Sequence, residues 1–535
     1  MPAASIATVR LLLAAGLTSP GGQPAPEHPA PIALTHVTVI DATGAASQPD
    51  MTVLVTGRRI SAIGKSGDVL IPAGVRVIDG TGKFLIPGLW DMHVHTSWDR
   101  HFTMPLMVAN GVTGVREMFG KYPTTIFAAR REIAAGTLVG PRIVTSGPIV
   151  DGVNPGWPGS IVATNPVEGR AAVDDVKALG ADFVKVYSGL DRPTYFAIAA
   201  EARRVGIPFA GHVPDAITVA EASDSGQRSI EHLAGVLLAT STKEAELRSR
   251  LVNASGRAVY QAEMVAQQDQ LLASSSDTLA DALFARFRAN RTWQVPTLVV
   301  LRVGAAPADP ALSANPALRY VPYALGGLWG TVRRMAAGDT SRVRVASNRR
   351  LFERELALVG RMDRDSVPIL AGSDEPNPYT IPGFSLHDEL GLLVRAGLTP
   401  MAALQAATRS PAVFLGALDS LGTVERGKVA DLVLLDADPL ADIGNTRRIA
   451  GVVLNGRWLD RSDLDRILAD VAGGRWRFSA AGAVLVGAIL ERVPPIAFVA
   501  LGGVVLGLVV GVVLAVRWRR RVRGLRSAGA AASRT

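Results

Sequence analysis

No cysteine occurs among the 535 residues. That absence excludes disulfides, cysteine-ligated zinc, iron–sulfur clusters and thiol nucleophiles. Any transition-metal site must then be built from His, Asp, Glu or a modified Lys. Aromatics are scarce at 5% and charged residues make up only 19%, whereas apolar residues reach 48%. A chain of this composition can bury a large core, and global disorder is excluded. Its length fits two to four domains, or one large barrel with additions. No acid follows Glu491, yet Arg517, Arg519, Arg520, Arg521, Arg523, Arg526 and Arg534 do. These arginines account for most of the net charge of +9. The basic balance therefore reads as a local feature of the tail, and a nucleic-acid partner is not expected.

The run 493–516 carries no charged or strongly polar side chain. At 1.5 Å per residue it is long enough to cross a bilayer core of about 30 Å, so a transmembrane helix is expected there. Arginines behind it predict a cytoplasmic tail, 517–535, and an extracytoplasmic, periplasmic catalytic domain. Residues 466–492 read as a juxtamembrane segment. Export requires a leader, and the apolar stretch after Arg10, followed by a Pro/Gly-rich stretch, reads as a signal peptide and linker over 1–31. Gly503, Gly507 and Gly511 recur at a spacing that could pack two helices, which leaves a homo-oligomer open.

Short Val/Ile/Thr-rich segments over 32–83 and again over 422–465 read as two parts of one small β-sandwich built from both flanks. Between them, over 84–421, apolar strands such as PRIVTSG, DFVKVYSG, IPFAGH, WQVPTLVV and VPILAGSD alternate with helical stretches. This alternation predicts an α/β fold, a (β/α)8 TIM-like barrel. Residues 244–291 and 305–358 read as helical insertions.

His93 and His95 lie in GLWDMHVHT. In a strand, i and i+2 share a face, so the pair aims two imidazoles into one space. From His95 to Lys185 is about three β/α units of roughly 30 residues, and His212 and His232 follow at about one unit each. Asp374 comes after the insertions. If His95 ends strand 1, these residues fall at the C-terminal ends of strands 4, 5, 6 and 8, where a barrel gathers its catalytic groups. Tyr187 shares a face with Lys185 and is a candidate substrate contact, with core packing the alternative. Asn154, Trp157 and Ser160, in DGVNPGWPGS, follow strand 3 as candidates for a substrate loop. His101 and His387 stand outside the ligand set, His387 on a helix after strand 8. No GxSxG or HExxH motif occurs, and Arg59 stands where a phosphate loop before Gly64-Lys65-Ser66 would need glycine.

The motifs PGLWDMHVH, FVKVYSG, FAGHVP, SIEHLAG, AGSDE and GTVERGKVADLVLLD together resemble the amidohydrolase superfamily, in particular its imidazolonepropionase-like and Xaa-Pro dipeptidase-like members. The resemblance covers about 32–460. It implies a binuclear centre: His93, His95 and Asp374 on one divalent ion, His212 and His232 on a second, and a carboxylated Lys185 bridging them, with zinc the expected metal. Imidazolonepropionase itself is mononuclear and lacks the lysine, so Lys185 tilts the resemblance towards the peptidase-like relatives. It further implies Asp374 as general base and hydrolysis of C–N bonds in small amides or short peptides. Glu375 departs from the small or hydroxyl residue common there. Alternatives are a cyclic-amide hydrolase, an esterase, lactonase or organophosphate hydrolase, and, in another class, a non-catalytic membrane-anchored binding protein.

Overall fold

The computed structural model describes residues 29–96, 99–120, 123–254, 257–338 and 342–474. Strands Leu89–Val94, Val112–Glu117 and Arg142–Thr145 pair in parallel. After a break at Gly147 (φ 62°) the chain resumes as Ile149–Asp151. Parallel pairing then runs through Val184–Val186, Phe209–Gly211, Ser229–Glu231 and Trp293–Val295. The eighth wall is irregular. Residues 369–375 close the barrel through parallel bridges Gln294↔Ile369 and Val94↔Glu375. Met92 N–H donates to the Ala371 carbonyl at 2.9 Å and Asp374 N–H to the His93 carbonyl at 2.8 Å. Residues of these strands are almost all buried, as in a parallel sheet covered by helices.

The helices carry their own start and stop signals. In Arg192–Val205 the Asp191 carboxylate caps the Thr194 N–H at 2.9 Å, a proline sits in the first turn, and Gly206 ends the helix at φ 71°. Tyr195, Ile198, Ala199 and Ala202 form its buried face. The insertion before Trp293–Val295 is helical, ending in Asp277–Asn290. The segment read as WQVPTLVV is a strand only over Trp293–Val295. Thr297 turns left-handed (φ 48°) and Leu298–Ala305 is a helix.

The flanks join into one continuous eight-stranded sheet. Phe84–Pro87 pairs antiparallel with Leu432–Leu435 and parallel with Ile32–Val39. Alternation splits the faces: Leu432, Leu434 and Leu85 enter a core within the sheet, while Val433, Leu435 and Ile86 pack on the barrel's helices. Helix Arg461–Gly473 brings Val471 against Phe102 and Tyr320.

The fold corrects the membrane expectation. No helix among the described residues is long and apolar enough to cross a membrane. The 493–516 run, the basic tail, most of the juxtamembrane segment and nearly all of the expected leader lie outside the described residues. The fold class with a C-terminal transmembrane helix, the membrane partner and the periplasmic placement are therefore not upheld. Their warrant was hydropathy and the arginines behind the run, and no described helix supports it.

His387 holds the sheet to the barrel. On helix Phe384–Ala396, its Nδ1 lies 2.9 Å from Thr446 Oγ1 and its Nε2 3.1 Å from the Asn110 carbonyl. Burial, helped by Arg447, pushes its pKa down to about 3. The unfolded chain binds a proton there below about pH 6.5 and the fold does not, so stability falls as pH drops from 6.5 towards 3. His387→Gln is expected to flatten that slope by about one proton. Urea denaturation across pH 4–7 checks it, and an unchanged slope contradicts it.

Candidate metal centre

The sequence places four imidazoles, a lysine and a carboxylate at one end of the barrel. His93 is the penultimate residue of the first strand and His95 directly follows it. Lys185 is the middle residue of Val184–Val186, and His212 and His232 come directly after their strands. Asp374 lies on the irregular eighth wall. Asp374 and His232 both have left-handed backbones (φ 56° and 59°). Asp and His tolerate that region better than most residues, and such outliers cluster at functional sites. Gly211 is dictated by crowding. At φ 138°, a Cβ there would lie 2.1 Å from the Val186 carbonyl and 3.0 Å from Lys185 Cδ. A side chain would displace the lysine.

Asp374 is the hub. Its Oδ1 is 2.8 Å from His95 Nε2 and 3.3 Å from His93 Nε2, and its Oδ2 is 3.9 Å from His232 Nδ1. His93, His232 and Asp374 each present a ligand atom within 4.8 Å of the others. The His212 ring lies 4.9 Å from that of His232. Burial pushes the Asp374 carboxyl up, but His232, His95 and Lys185 outweigh it and hold it below its ordinary value. Burial and the Lys185 charge push His93 and His212 well below their ordinary range, so both are neutral. Lys185 is 1% exposed, and burial pulls its pKa to about 8.

The Nδ1 atoms of three rings have hydrogen-bond partners. His93 Nδ1 is 2.8 Å from Glu231 Oε2 and His212 Nδ1 is 2.9 Å from Ser188 Oγ. His232 Nδ1 is 2.7 Å from Thr297 Oγ1, whose hydroxyl donates to the Pro296 carbonyl. Thr297 must then accept from His232, which fixes the proton on Nδ1. A carboxylate fixes His93 likewise, leaving each Nε2 lone pair available. This is the arrangement of metal-ligating histidines. His95 Nδ1 is buried without a hydrogen-bond partner. Neutral imidazoles, a depressed carboxylate and an orphaned ring nitrogen fit a divalent cation.

Tyr187 lies over His212, ring centroids 4.0 Å apart, and its hydroxyl accepts from Trp157 Nε1 at 3.0 Å. Phe119 completes the rim, 6.0 Å from Trp157 and 6.5 Å from His95. The Asp151 carboxylate holds the intervening loop through the N–H groups of Gly152, Gly156 and Gly189. Asn154 is exposed, and Ser160 donates to the Trp157 carbonyl at 2.8 Å. His101 is exposed on helix Arg100–Ala109, and His387 serves the fold as described.

Glu231 and Arg116 were not foreseen. Arg116 Nη2 donates to both Glu231 oxygens at 2.9 Å, Nη1 to Ser229 Oγ at 2.8 Å, and Nε to the Met92 carbonyl at 2.7 Å. Both charges are fully buried. The signal was present: a charge inside each short apolar strand, VTGVRE and SIE.

Residues 331–459 match the model of the amidohydrolase family. A 94-residue stretch is 40% identical to an imidazolonepropionase of Aromatoleum aromaticum, covering 17% of this chain and 23% of that protein. Both matches are local, and over them the chain is similar to amidohydrolases. Structural likeness extends over more of it. A bottromycin amidohydrolase superposes with a TM-score of 0.67 at 24% identity, covering 85% of this chain and 94% of the other. A prolidase from Bifidobacterium longum gives 0.58 at 24%, covering 83% and 100%. A Xaa-Pro dipeptidase with bound methionine gives 0.57 at 19%, covering 81% and 100%. At these identities the superpositions speak for the fold alone.

If Glu231 fixes the His93 tautomer, Glu231→Gln weakens divalent-ion affinity about 10- to 100-fold. Competition with a fluorescent chelator measures this. Unchanged affinity contradicts the assignment.

Proposed function

We propose that the chain is a metal-dependent hydrolase acting on carbon–nitrogen bonds of small amides or short peptides. The single observation carrying this reading is the convergence of His93, His232 and Asp374 to within 4.8 Å. The family match and the amidohydrolase and prolidase folds support it. His93, His95 and Asp374 would hold one divalent ion, zinc the best fit, and His212 and His232 a second. Lys185 would bridge them as a carbamate. A pKa of about 8 supports that step, because only the neutral amine attacks CO₂, and burial supplies a neutral fraction near pH 7. Bound ions would supply hydroxide at neutral pH and polarise the substrate carbonyl.

The chain's own residues do the rest. Asp374, held ionised by its histidines, takes the proton of the attacking water at its carboxylate and hands it to the leaving nitrogen. Glu231, Ser188 and Thr297 keep the imidazoles oriented. Tyr187 and Trp157 form the wall where the substrate carbonyl is held. A second reading, cyclic-amide hydrolysis, is favoured by the stretch shared with an imidazolonepropionase. Substrate profiling separates the two.

The test is a panel of dipeptides, cyclic amides, esters and lactones assayed with wild type, His93→Ala and Asp374→Asn. Turnover of amide substrates is expected, with Asp374→Asn slowed about 10²- to 10⁴-fold in kcat. Full activity in both variants, or turnover confined to esters and lactones, contradicts the reading.

A further inference from the structure

The end of the barrel opposite His93 and Asp374 holds a cavity of about 480 Å³. It is lined by residues at or before the N-terminal ends of strands, including Trp90, Arg142, Phe183 and Arg228, by Phe414 at the end of helix Arg409–Phe414, and by Leu421 beyond it. Ligand cavities run from about 300 to 1,000 Å³ and are mostly apolar with a few placed polar groups. This one matches in size and lining.

Its charges do not balance. Arg116, Arg142 and Arg228 line it against one acid, Asp182. Asp182 is engaged elsewhere: it pairs with Arg130 at 2.9 Å and accepts the Thr145 N–H at 2.8 Å. Arg116 is matched by Glu231. Arg142 reaches Asn455 Oδ1 at 3.1 Å and Asp431 at 3.5 Å, but its Nε is buried with no hydrogen-bond partner. Arg228 donates to the Phe414 carbonyl at 2.9 Å, lies over the Phe414 ring at 5.2 Å, and has no carboxylate in ion-pair reach among the described residues. Its charged neighbour is another cation, Arg291. Two guanidiniums with unused donors at the edge of an apolar cavity suit an anion carrying an apolar body.

We propose that this cavity is a second binding site, distinct from the candidate metal centre, for a small amphiphilic carboxylate. The anionic head meets Arg228 and Arg142, and the apolar body lies among Trp90, Phe183, Phe414 and Leu421. Arg116, which holds Glu231 behind His93, lies fully buried at the inner end of the cavity, beneath the Phe183 and Phe414 rings.

Titration calorimetry of the full-length protein with octanoate and with octan-1-ol tests this. Octanoate is expected to bind saturably and about tenfold more tightly than the alcohol, the worth of one charge-assisted hydrogen bond. Arg228→Gln should erase that difference. Ala417→Phe, which fills the cavity, should weaken both ligands and separates this site from carboxylate binding at the opposite end. If Arg228→Gln does not fold, the octanoate-to-octanol ratio on wild type decides alone. Absence of saturable octanoate binding, equal affinity for acid and alcohol, or binding unchanged in folded Ala417→Phe overturns the proposal.

Discussion

The buried Arg116–Glu231 pair at 2.9 Å is the interaction around which the molecule is arranged. Taking two charges out of water costs several kcal/mol per ion, recovered only when every remaining donor and acceptor is satisfied. Here they are. Arg116 also reaches Ser229 and the Met92 carbonyl, and Glu231 also reaches Ser229 and His93. The pair ties the first, second and sixth barrel strands at their centre. Its yield is orientation more than stability: a carboxylate fixed behind His93 fixes the ring's tautomer, and the free nitrogen faces Asp374.

From that point outward the layers agree. Strands are short and almost wholly buried, their C-terminal ends converge, and the groups following them share one space. The residues that distort the eighth wall are those the site uses: Gly372, whose Cβ would press on His93, and Asp374 in its left-handed turn. A regular eighth strand would have turned Asp374 elsewhere. Regularity is given up where chemistry is placed.

Much of this was legible in the sequence. HxH after an apolar strand, a lysine between two valines, and histidines recurring at unit spacing all gave positions that the structure brings together around Asp374. Other features were hidden for physical reasons. Arg116 and Glu231 pair across 115 residues, and no local pattern links two charges that far apart. The eighth wall is bridged rather than laddered, so period-2 alternation does not mark it. Leu298–Ala305 is as apolar as a strand, and short apolar runs do not distinguish strand from buried helix. The two flanks share one sheet because Phe84–Pro87 joins Leu432–Leu435 to Ile32–Val39, a long-range pairing that no local pattern marks. The membrane span rested on hydropathy and its flanking arginines, and no described helix supports it.

The account stands most directly on metal content. Elemental analysis of purified wild type and Lys185→Met, prepared with zinc and bicarbonate, measures it. The account predicts two ions per chain in wild type, as in a two-metal site, and one or fewer once the bridging side chain is gone. Less than one ion in wild type, or two in Lys185→Met, would contradict it.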